Sequence, residues 1–464
     1  MAGRFSILAP LLTLCLGASA VVASPAERLG RAVQFKTISY QELSQIDYAE
    51  FDAFHAFLRD SYSLVFSQLE VELINDYSLL LRWPGSDAAL PPVLFTAHMD
   101  VVPVEPGTEQ DWQHPAFAGV VADGRIYGRG TLDDKVGLIG LLEATEQLLA
   151  ERFAPTRTIY FAFGHDEEIS GGNGAGAIAA TMRERGLHFA WMVDEGGMLL
   201  ADSPLLTGKT MAMVNIAEKG YLTLTLQTTG DGGHSSNPPE VSTIGRLSNA
   251  LARIEANPFP PRIEAPVAAM LETLAPHLDQ PERIVFENLW LTGGFVARQM
   301  AQNRTTTPFV RTTTALTMFN AGVKENVVPQ RAEARVNFRL LPSDTPEMVV
   351  AYIADVVDDP QVEISYEQWN KLPAVADSVG SGFAVIKAAV ASVYPEAVVV
   401  PSLLVATTDT RHYVDLVDNQ YRFHGVKVAT SQATSVHGTD EYVDVSSFEK
   451  SIEVARKMIE LGAR

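Results

Sequence analysis

The chain has 464 residues, of which 47% are hydrophobic and 8% aromatic, and it carries 56 acidic against 35 basic side chains. A length above about 300 residues favours more than one domain, and the apolar content excludes a wholly disordered chain. The formal net charge of −21 argues against nucleic acid or an anionic membrane surface as a partner, because both are negatively charged.

The N-terminal segment has the pattern of an export signal. Arg4 precedes an apolar run over residues 7–16, and Ala18-Ser19-Ala20 has the small-x-small form of a cleavage site. We therefore predict a signal peptide over residues 1–23 and an exported protein, periplasmic or secreted. An uncleaved membrane anchor is the alternative, because the apolar character continues to about residue 22. Cys15, the single cysteine, lies in this segment, so a mature chain would offer a metal only nitrogen and oxygen ligands.

Short apolar runs alternate with a helical stretch in the next part of the chain, as in an α/β sheet. Strands are predicted over residues 93–97, 158–163 and 190–193, and a helix over residues 136–149. A polar motif follows each of these strands directly. Because open α/β sheets bind ligands at the carboxyl ends of their strands, we expect these motifs to form one site.

From about residue 215 the pattern changes to strands with one solvated face. Alternating residues predict strands over residues 221–229, 312–319 and 332–340, with helices over residues 242–254 and 346–357. The proline-rich stretch at residues 257–261 predicts a loop. We therefore predict a first domain built from residues 24–214 and 371–464, with an α+β domain inserted at residues 215–370.

Two motifs offer candidate metal ligands early in the chain. In TAHMD, His98 and Asp100 are two residues apart on a predicted strand, so their side chains point the same way. A metal-binding imidazole usually donates its other N–H to a carboxylate, which suits Asp100, although a structural histidine beside an acid is the alternative. In GRGTLDDK, Asp133 can bridge two cations, but an Asp in the first turn of a helix is equally favoured by capping.

Three later motifs complete the set. In GHDEEISGG, Glu167 and Glu168 project in different directions, so one can bind a metal while the other removes a proton from the attacking water. Asp194, in VDEGG, follows a buried strand, and Glu195 is the neighbouring alternative. His437, in SVHGTDE, lies far away in the sequence, and an ordinary loop histidine is the alternative there.

These motifs, in this order and with TDTR near the last histidine, closely resemble the M20 metallopeptidase family, and within it the carboxypeptidase S and N-acyl-amino-acid hydrolase branch. The resemblance implies an α/β, zinc-exopeptidase-like catalytic domain, a mixed sheet with helices on both faces, and an inserted α+β lid and dimerisation domain. It implies two zinc ions, with Co²⁺ or Mn²⁺ as alternatives. The implied metal ligands are a bridging Asp133, His98 and Asp194 on one ion, and Glu168 and His437 on the other. Glu167 matches the general base and Asp100 the acid behind the histidine.

The resemblance also assigns residues outside the metal ligands. In GDGGHSSNPP, His234 matches a residue that reaches the active site of the partner subunit and stabilises the oxyanion, which implies a homodimer. Asn326 in ENVVP and Arg339 in NFRLLP match positions that hold the substrate carbonyl and carboxylate. Arg411 in TTDTRHY is a further carboxylate ligand; a surface ion pair is the alternative for either arginine. Residues 406–407 (Ala-Thr) stand where relatives often have glycines, which leaves the shape of the terminus pocket open.

The predicted function is hydrolysis of an amide bond next to a free carboxylate, either as a carboxypeptidase on short peptides or as an N-acyl-amino-acid hydrolase. A deacylase of other N-acyl compounds is one alternative. An exported solute-binding protein is another, but it has no need for paired acids or for a His-Asp-Glu-Asp-His set. The predicted partners are a small substrate and a second copy of the chain, with no nucleic acid and no membrane beyond an N-terminal anchor.

Overall fold

The structure is a computed structural model that describes residues 23–367, residue 369 and residues 372–464. Apart from Ala23, the predicted export segment at residues 1–23 lies outside the described residues. None of the described helices is both long and apolar enough to cross a bilayer.

Helices and strands alternate along the described chain. The α-helices are α1 (Pro25–Val33), α2 (Tyr48–Ser61), α3 (Ser63–Gln68), α4 (Lys135–Ala150), α5 (Ala175–Glu184), α6 (Thr243–Ala256), α7 (Ala265–Leu274), α8 (Glu282–Glu287), α9 (Leu289–Met300), α10 (Thr307–Val310), α11 (Pro346–Val357), α12 (Ser381–Val393), α13 (Thr430–Ala433) and α14 (Val445–Gly462). Short 3₁₀ turns cover Leu43–Gln45, Glu109–Asp111, Glu167–Ile169, Ala275–His277 and Asp409–Tyr413.

The strands are β1 (Glu70–Ile74), β2 (Ser78–Trp83), β3 (Val93–His98), β4 (Val121–Ala122), β5 (Arg125–Tyr127), β6 (Ile159–Gly164), β7 (Trp191–Asp194), β8 (Leu199–Leu200), β9 (Met211–Glu218), β10 (Gly220–Thr229), β11 (Gly233–His234), β12 (Thr313–Ala321), β13 (Val327–Val328), β14 (Arg331–Leu340), β15 (Val362–Ser365), β16 (Val398–Leu404), β17 (Gln420–Arg422), β18 (Lys427–Val428) and β19 (Tyr442–Asp444).

A ten-stranded mixed sheet forms the larger part of the molecule. Its order is β1-β2-β6-β3-β7-β17-β9-β8-β18, with β16 paired to β9 as a branch. Strand β3 lies between β6 and β7 and is parallel to both, whereas β1, β2 and β6 pair in an antiparallel way. The mixed sheet confirms the predicted α/β class. It also brings the carboxyl ends of β3, β6 and β7 to the same edge.

Both faces of this sheet are covered, which explains why its central strands are continuously apolar. Phe95, Phe161 and Val193 belong to a core that includes residues of α4 and α14 on one face. Leu94 and Met192 face the opposite way, into a second core with α5. Because side chains alternate along a strand, each of β3 and β7 contributes to both cores.

A second, smaller sheet is built from residues of the predicted insertion. Its antiparallel order is β12-β14-β10-β15. Alternate residues such as Leu222, Leu224 and Phe338 pack against α6 and α11 on one face. The opposite face therefore carries the intervening polar residues of β10 and β14, among them Tyr221 and Arg339.

Residues 265–310 differ from what the sequence patterns indicated. The proline-rich stretch at residues 257–261 is a loop, as predicted. Helices α7 to α10 follow it, and the sequence patterns did not predict them. Helix α7 packs its apolar residues, such as Met270 and Leu271, against β9 and β16 of the large sheet. The stability of α7 therefore depends on packing against strands that are remote in the sequence.

Candidate metal centre and active site

The candidate ligands come from segments that meet at one edge of the large sheet. His98 is the last residue of β3, the turn carrying Glu168 follows β6, and Glu195 comes directly after β7. Asp133 lies just before α4, and His437 lies in the loop between α13 and β19. Parallel neighbouring strands thus supply three of the five segments, as in other open α/β sheets.

Two groups of candidate ligands share Asp133. His98 Nε2 lies 2.9 Å from Asp133 Oδ1 and 3.6 Å from Glu195 Oε1. His437 Nε2 lies 2.9 Å from Asp133 Oδ2 and 3.2 Å from Glu168 Oε2. We name these the first group (His98, Asp133, Glu195) and the second group (Asp133, Glu168, His437). In each group one ligand atom per residue lies within 4.8 Å of the others.

The donor set fits divalent cations. Two ligand atoms bound about 2.0–2.2 Å from the same zinc at tetrahedral angles would lie about 3.3 Å apart, close to the separations within both groups. Glu168 Oε1 is buried and has no hydrogen-bond partner among the described residues, which is costly for a carboxylate oxygen unless a cation compensates it.

The electrostatics of the cluster point the same way. Burial, followed by the charge of Asp133, raises the pKa of Glu168 to about 7 and that of Glu195 well above its usual value. Hydrogen bonds with Asp133 and Glu168 raise the pKa of His437 to about 10. The carboxylates at this edge repel one another, and the neighbouring cationic groups do not fully offset that repulsion. A bound cation would stabilise their ionised forms.

Asp194 is the one predicted ligand that the structure does not bring into either group. Asp194 lines a small cavity between the sheet and helices α4 and α14, and its Oδ2 has no hydrogen-bond partner among the described residues. Glu195 lies next to His98 instead. The structure thus places Glu195, the alternative that the sequence offered, beside His98, because the chain turns directly after β7, and Asp194 as a ligand stays a prediction.

Asp100 supports the site from behind. His98 Nδ1 lies 3.0 Å from the Asp100 backbone oxygen and 3.3 Å from its Oδ1, which places the ring proton on Nδ1 and leaves Nε2 free to bind. The Asp100 carboxylate also accepts the backbone N–H groups of Glu167 and Glu168 and the hydroxyl of Ser39. One buried carboxylate thus fixes two of the ligand-bearing loops.

Arg129 and Glu441 fix a further pair of loops. The Glu441 carboxylate accepts the backbone N–H groups of Gly130 and Leu132 and pairs with Arg129 at 2.7 Å. Arg129 also donates to the His437 backbone oxygen at 3.2 Å. The loop that carries Asp133 is therefore joined to the loop that carries His437. The role of Arg129 was missed in the sequence, because its partners lie near the opposite end of the chain.

A cavity of about 550 Å³ opens beside the second group. Glu167, Glu168 and His437 line it on the large-sheet side, and the polar face of the small sheet contributes Tyr221, Thr223, Thr225, Arg335 and Arg339. Residues 406–407 and Arg411 also line it. A small molecule in this cavity would touch both sheets.

Two predicted arginines lie in this cavity in different settings. Arg339 stacks over the Tyr221 ring at 4.7 Å, and no carboxylate among the described residues forms an ion pair with it. Arg411 lies 3.6 Å from Glu167 Oε1 and 3.8 Å from Asp409 Oδ1. Arg339 is therefore the arginine whose charge is open to a ligand, whereas Arg411 already faces acids.

Glu167 is partly buried and does not belong to either ligand group. Burial, followed by the charge of Asp409, raises its pKa well above the usual value, while His98 and Arg411 oppose that rise. A carboxylate with a raised pKa holds a proton more readily, which suits a group that must accept and then return one. No local pattern distinguished Asp409 as a functional residue, although it stands in the TDTR motif.

His234 and Asn326 lie together but away from the cavity. They belong to an exposed two-stranded ribbon in which His234 pairs with Val327, next to Asn326. His234 Nδ1 lies 2.8 Å from the Ser236 hydroxyl oxygen. Neither residue is among the described residues that line the cavity of the same chain.

The sequence and fold are similar to those of known proteins. Residues 94–461 match the model of Peptidase family M20/M25/M40. The N-fatty-acyl-amino acid synthase/hydrolase PM20D1 of Bos taurus is 39% identical over 444 residues, covering 94% of this chain and 87% of the relative. Carboxypeptidase S of Saccharomyces cerevisiae is 30% identical, covering 91% of this chain and 81% of the relative.

Solved structures agree in fold. The M20 family metallo-carboxypeptidase Sso-CP2 from Sulfolobus solfataricus matches with a TM-score of 0.68 at 18% identity, over 95% of this chain and 99% of that one. Human carnosine dipeptidase 1 matches with a TM-score of 0.65 at 14% identity, over 95% of this chain and 96% of that one. At these identities the likeness concerns the fold alone.

Proposed function

The chain belongs to peptidase family M20/M25/M40, a family of divalent-metal hydrolases, and from that premise we propose that it is a dinuclear zinc enzyme cleaving an amide bond next to a free carboxylate. The substrate is an N-acyl amino acid or a short peptide opened at its C-terminus. Both kinds of molecule end in the same chemical group, an amide nitrogen one carbon away from a carboxylate.

One observation carries the proposal: the two ligand groups share the carboxylate of Asp133, one oxygen facing each histidine. With both ions bound, Asp133 would be the ligand common to both, as a shared carboxylate is in two-metal hydrolases. A solute-binding protein needs neither the shared acid nor Glu167 beside it. When bound, the two cations would supply Lewis acidity to the substrate carbonyl and to the attacking water.

Glu167 performs the proton transfers. It accepts a proton from the attacking water, and its raised pKa keeps that proton available. The same proton then passes to the amide nitrogen, so that the amine leaves neutral and the C–N bond breaks. Arg411, 3.6 Å from Glu167 Oε1, holds the carboxylate at the mouth of the cavity during both transfers.

Arg339 binds the substrate carboxylate. Its guanidinium is held over Tyr221, faces the cavity and carries no ion pair with a described residue. Binding a carboxylate there orients the adjacent amide towards Glu167 and excludes neutral amides, because a half-buried guanidinium without a partner is costly. Substrate selection thus rests on charge at one end of the molecule.

We further propose a homodimer in which His234 and Asn326 of one subunit complete the site of the other. Both residues lie on an exposed ribbon outside their own cavity, which is what such an exchange requires. Mixed dimers of His234→Ala and Glu167→Gln subunits would then contain one intact site and regain part of the activity. Well-mixed dimers without any recovery would contradict this assignment.

A release assay tests the substrate class. The zinc-loaded protein is incubated with N-acyl amino acids of increasing acyl length and with dipeptides, each alongside its carboxamide. The proposal expects free amino acid from members of one or both carboxylate series and at least tenfold less from the carboxamides. Equal turnover of carboxamides would favour the deacylase alternative, and binding without turnover would favour a solute-binding protein.

We also propose that the protein is exported after cleavage near residue 23, from the pattern of residues 1–23. N-terminal sequencing of the protein recovered outside the cytoplasm tests this. A mature N-terminus near residue 24 agrees with export and cleavage, whereas an intact N-terminus in the membrane fraction would identify the segment as an anchor.

A further inference from the structure

A buried histidine that no catalytic step uses lies beneath the candidate metal centre. His424 follows strand β17 and lines the small cavity between the large sheet and helices α4 and α14. Its Nε2 lies 3.0 Å from Asp134 Oδ1, and Asp134 is fully buried. Both atoms are buried, and neither forms a hydrogen bond with any described residue, so this close ion-pair contact is the polar interaction that each of them makes.

Asp134 connects this histidine to two ligand-bearing segments. It directly follows Asp133, the acid shared by both ligand groups. Its other oxygen, Oδ2, accepts the backbone N–H of His98 at 3.2 Å. The Asp134 carboxylate thus spans from His424 on one side to the end of β3 on the other. Any rotation of that carboxylate would shift the shared Asp133 relative to His98.

The backbone beside His424 holds the third segment. The N–H of Phe423 donates to the Asp194 backbone oxygen at 2.7 Å, and the N–H of His424 donates to the Gly197 backbone oxygen at 2.6 Å. These two bonds lie on either side of Glu195 in the chain. Residues 423–424 therefore hold the turn that presents Glu195, while the His424 side chain holds the segment that presents Asp133.

These contacts reach every member of the first group, but only the shared Asp133 of the second group. His98, Asp133 and Glu195 form the first group, and each lies on a segment bound by His424, Phe423 or Asp134. The remaining ligands of the second group are held by other residues: Asp100 accepts the N–H of Glu168, and Arg129 donates to the backbone oxygen of His437.

We propose that His424 is a positioning residue that sets the affinity of the first group for its metal ion. It acts through Asp134, without touching substrate or metal. The proposal rests on the two-metal function proposed above, because it presupposes that both groups bind an ion. An outer partner of a metal ligand typically contributes a factor of about 10 to 100 in metal affinity.

The test compares metal retention of the purified full-length proteins, without measuring activity. Wild type, His424→Leu and His424→Gln are loaded with Zn²⁺, dialysed against increasing chelator and analysed for zinc per chain. Leucine removes the donor to Asp134, whereas the glutamine amide can restore it. His188→Leu is the control, because His188 forms a comparable His–Asp pair with Asp418 on the surface, at 2.7 Å.

The proposal expects His424→Leu to lose one of two zinc ions at a chelator concentration about 10- to 100-fold lower than wild type, and to keep the other. His424→Gln and His188→Leu should lose zinc at chelator concentrations closer to that of wild type. Retention of both ions by His424→Leu, or simultaneous loss of both, would overturn it. Failure of wild type to bind two ions would instead contradict the proposed function.

A second variant guards against misfolding of His424→Leu. Gly137 lies in α4, and a Cβ placed there would overlap both Asp134 Oδ1 and His424 Nε2. Alanine favours a helix more than glycine does, so Gly137→Ala should separate the pair without weakening α4 itself. Selective loss of one zinc ion from Gly137→Ala supports the proposal, and retention of both ions contradicts it.

Discussion

Asp100 Oδ1 accepts a hydrogen bond from the backbone N–H of Glu167 at 3.1 Å. The acid next to His98 therefore also positions the loop of Glu167, the proposed general base. A carboxylate that accepts a hydrogen bond from a metal-binding histidine is usually described only by its effect on that histidine. Here the carboxylate joins the end of β3 to the turn after β6, so one substitution should affect both metal binding and proton transfer.

Replacing Asp100 by asparagine should lower kcat/KM about 10- to 100-fold. The amide cannot accept from His98, Ser39 and the two backbone N–H groups at once, so the loop of Glu167 loosens. Steady-state kinetics at saturating zinc measure the effect. Ser39→Ala removes only the hydroxyl that donates to Asp100 at 2.6 Å, so it should lower kcat/KM much less than Asp100→Asn does. Activity of Asp100→Asn within twofold of wild type would show that the carboxylate is dispensable.

Glu195→Gln should bind one zinc ion less per chain than wild type, whereas Asp194→Asn should retain both. Glu195 lies 3.6 Å from His98 Nε2, while Asp194 lines the small cavity between the sheet and helices α4 and α14. Elemental analysis after dialysis compares the two isosteric variants directly. The opposite ranking would return Asp194 to the ligand set.

Arg339→Met should raise KM for carboxylate substrates about 10- to 100-fold with a smaller change in kcat, because a charge-assisted hydrogen bond is lost. For the matching carboxamides, Arg339→Met should raise KM by a smaller factor, because they have no carboxylate for Arg339 to bind. Arg331→Met is the control, since Arg331 lies on the same strand and pairs with Glu333 at 2.6 Å. Equal effects of Arg339→Met on both substrate series would remove its role in binding the carboxylate.

Lys219 should make stability rise with pH. Burial, followed by the charge of Arg339, lowers its pKa from 10.5 to about 7. Between these values the unfolded chain holds a proton that the folded chain lacks, so the cost of burying the charge is full below pH 7 and is relieved as pH rises. Removing the Lys219 amine should therefore make the unfolding free energy depend less on pH.

Chemical denaturation at pH 7 and pH 9 measures this. From pH 7 to pH 9, wild type should gain about 2 kcal/mol more unfolding free energy than Lys219→Met does. Lys324→Met, at an exposed position, should behave as wild type. Identical pH dependence in wild type and Lys219→Met would mean that the lysine stays charged in the folded chain, held by the carbonyl oxygens of Pro308 and Arg311.

Local sequence patterns predicted most of the elements that carry the site. The run at residues 93–97 became β3, and the period-two stretch at residues 221–229 lies within β10. Helix α11 has the bounds that the sequence indicated, Pro346–Val357, because Thr345 caps it and a proline opens it. Such features depend on neighbouring residues alone.

Features that depend on remote partners could not be read in this way. Whether Asp194 or Glu195 faces His98 is decided by the turn after β7, which β17 holds from far along the chain. Helix α7 packs against β9 and β16, and these two strands become neighbours only in the assembled sheet. Helices α8 to α10 in turn contact α7 or one another. His424 carried no local motif at all, since its partner Asp134 lies in another segment.

The most direct test of the shared Asp133 centre is a zinc titration of metal-free wild type and Glu167→Gln, following bound zinc and amide hydrolysis in the same samples. We predict two ions per chain in both proteins, with turnover in wild type and at least 100-fold less in the variant, because Glu167 moves the proton without holding metal. Fewer than two ions per wild-type chain, or near-normal turnover by Glu167→Gln, would contradict this account.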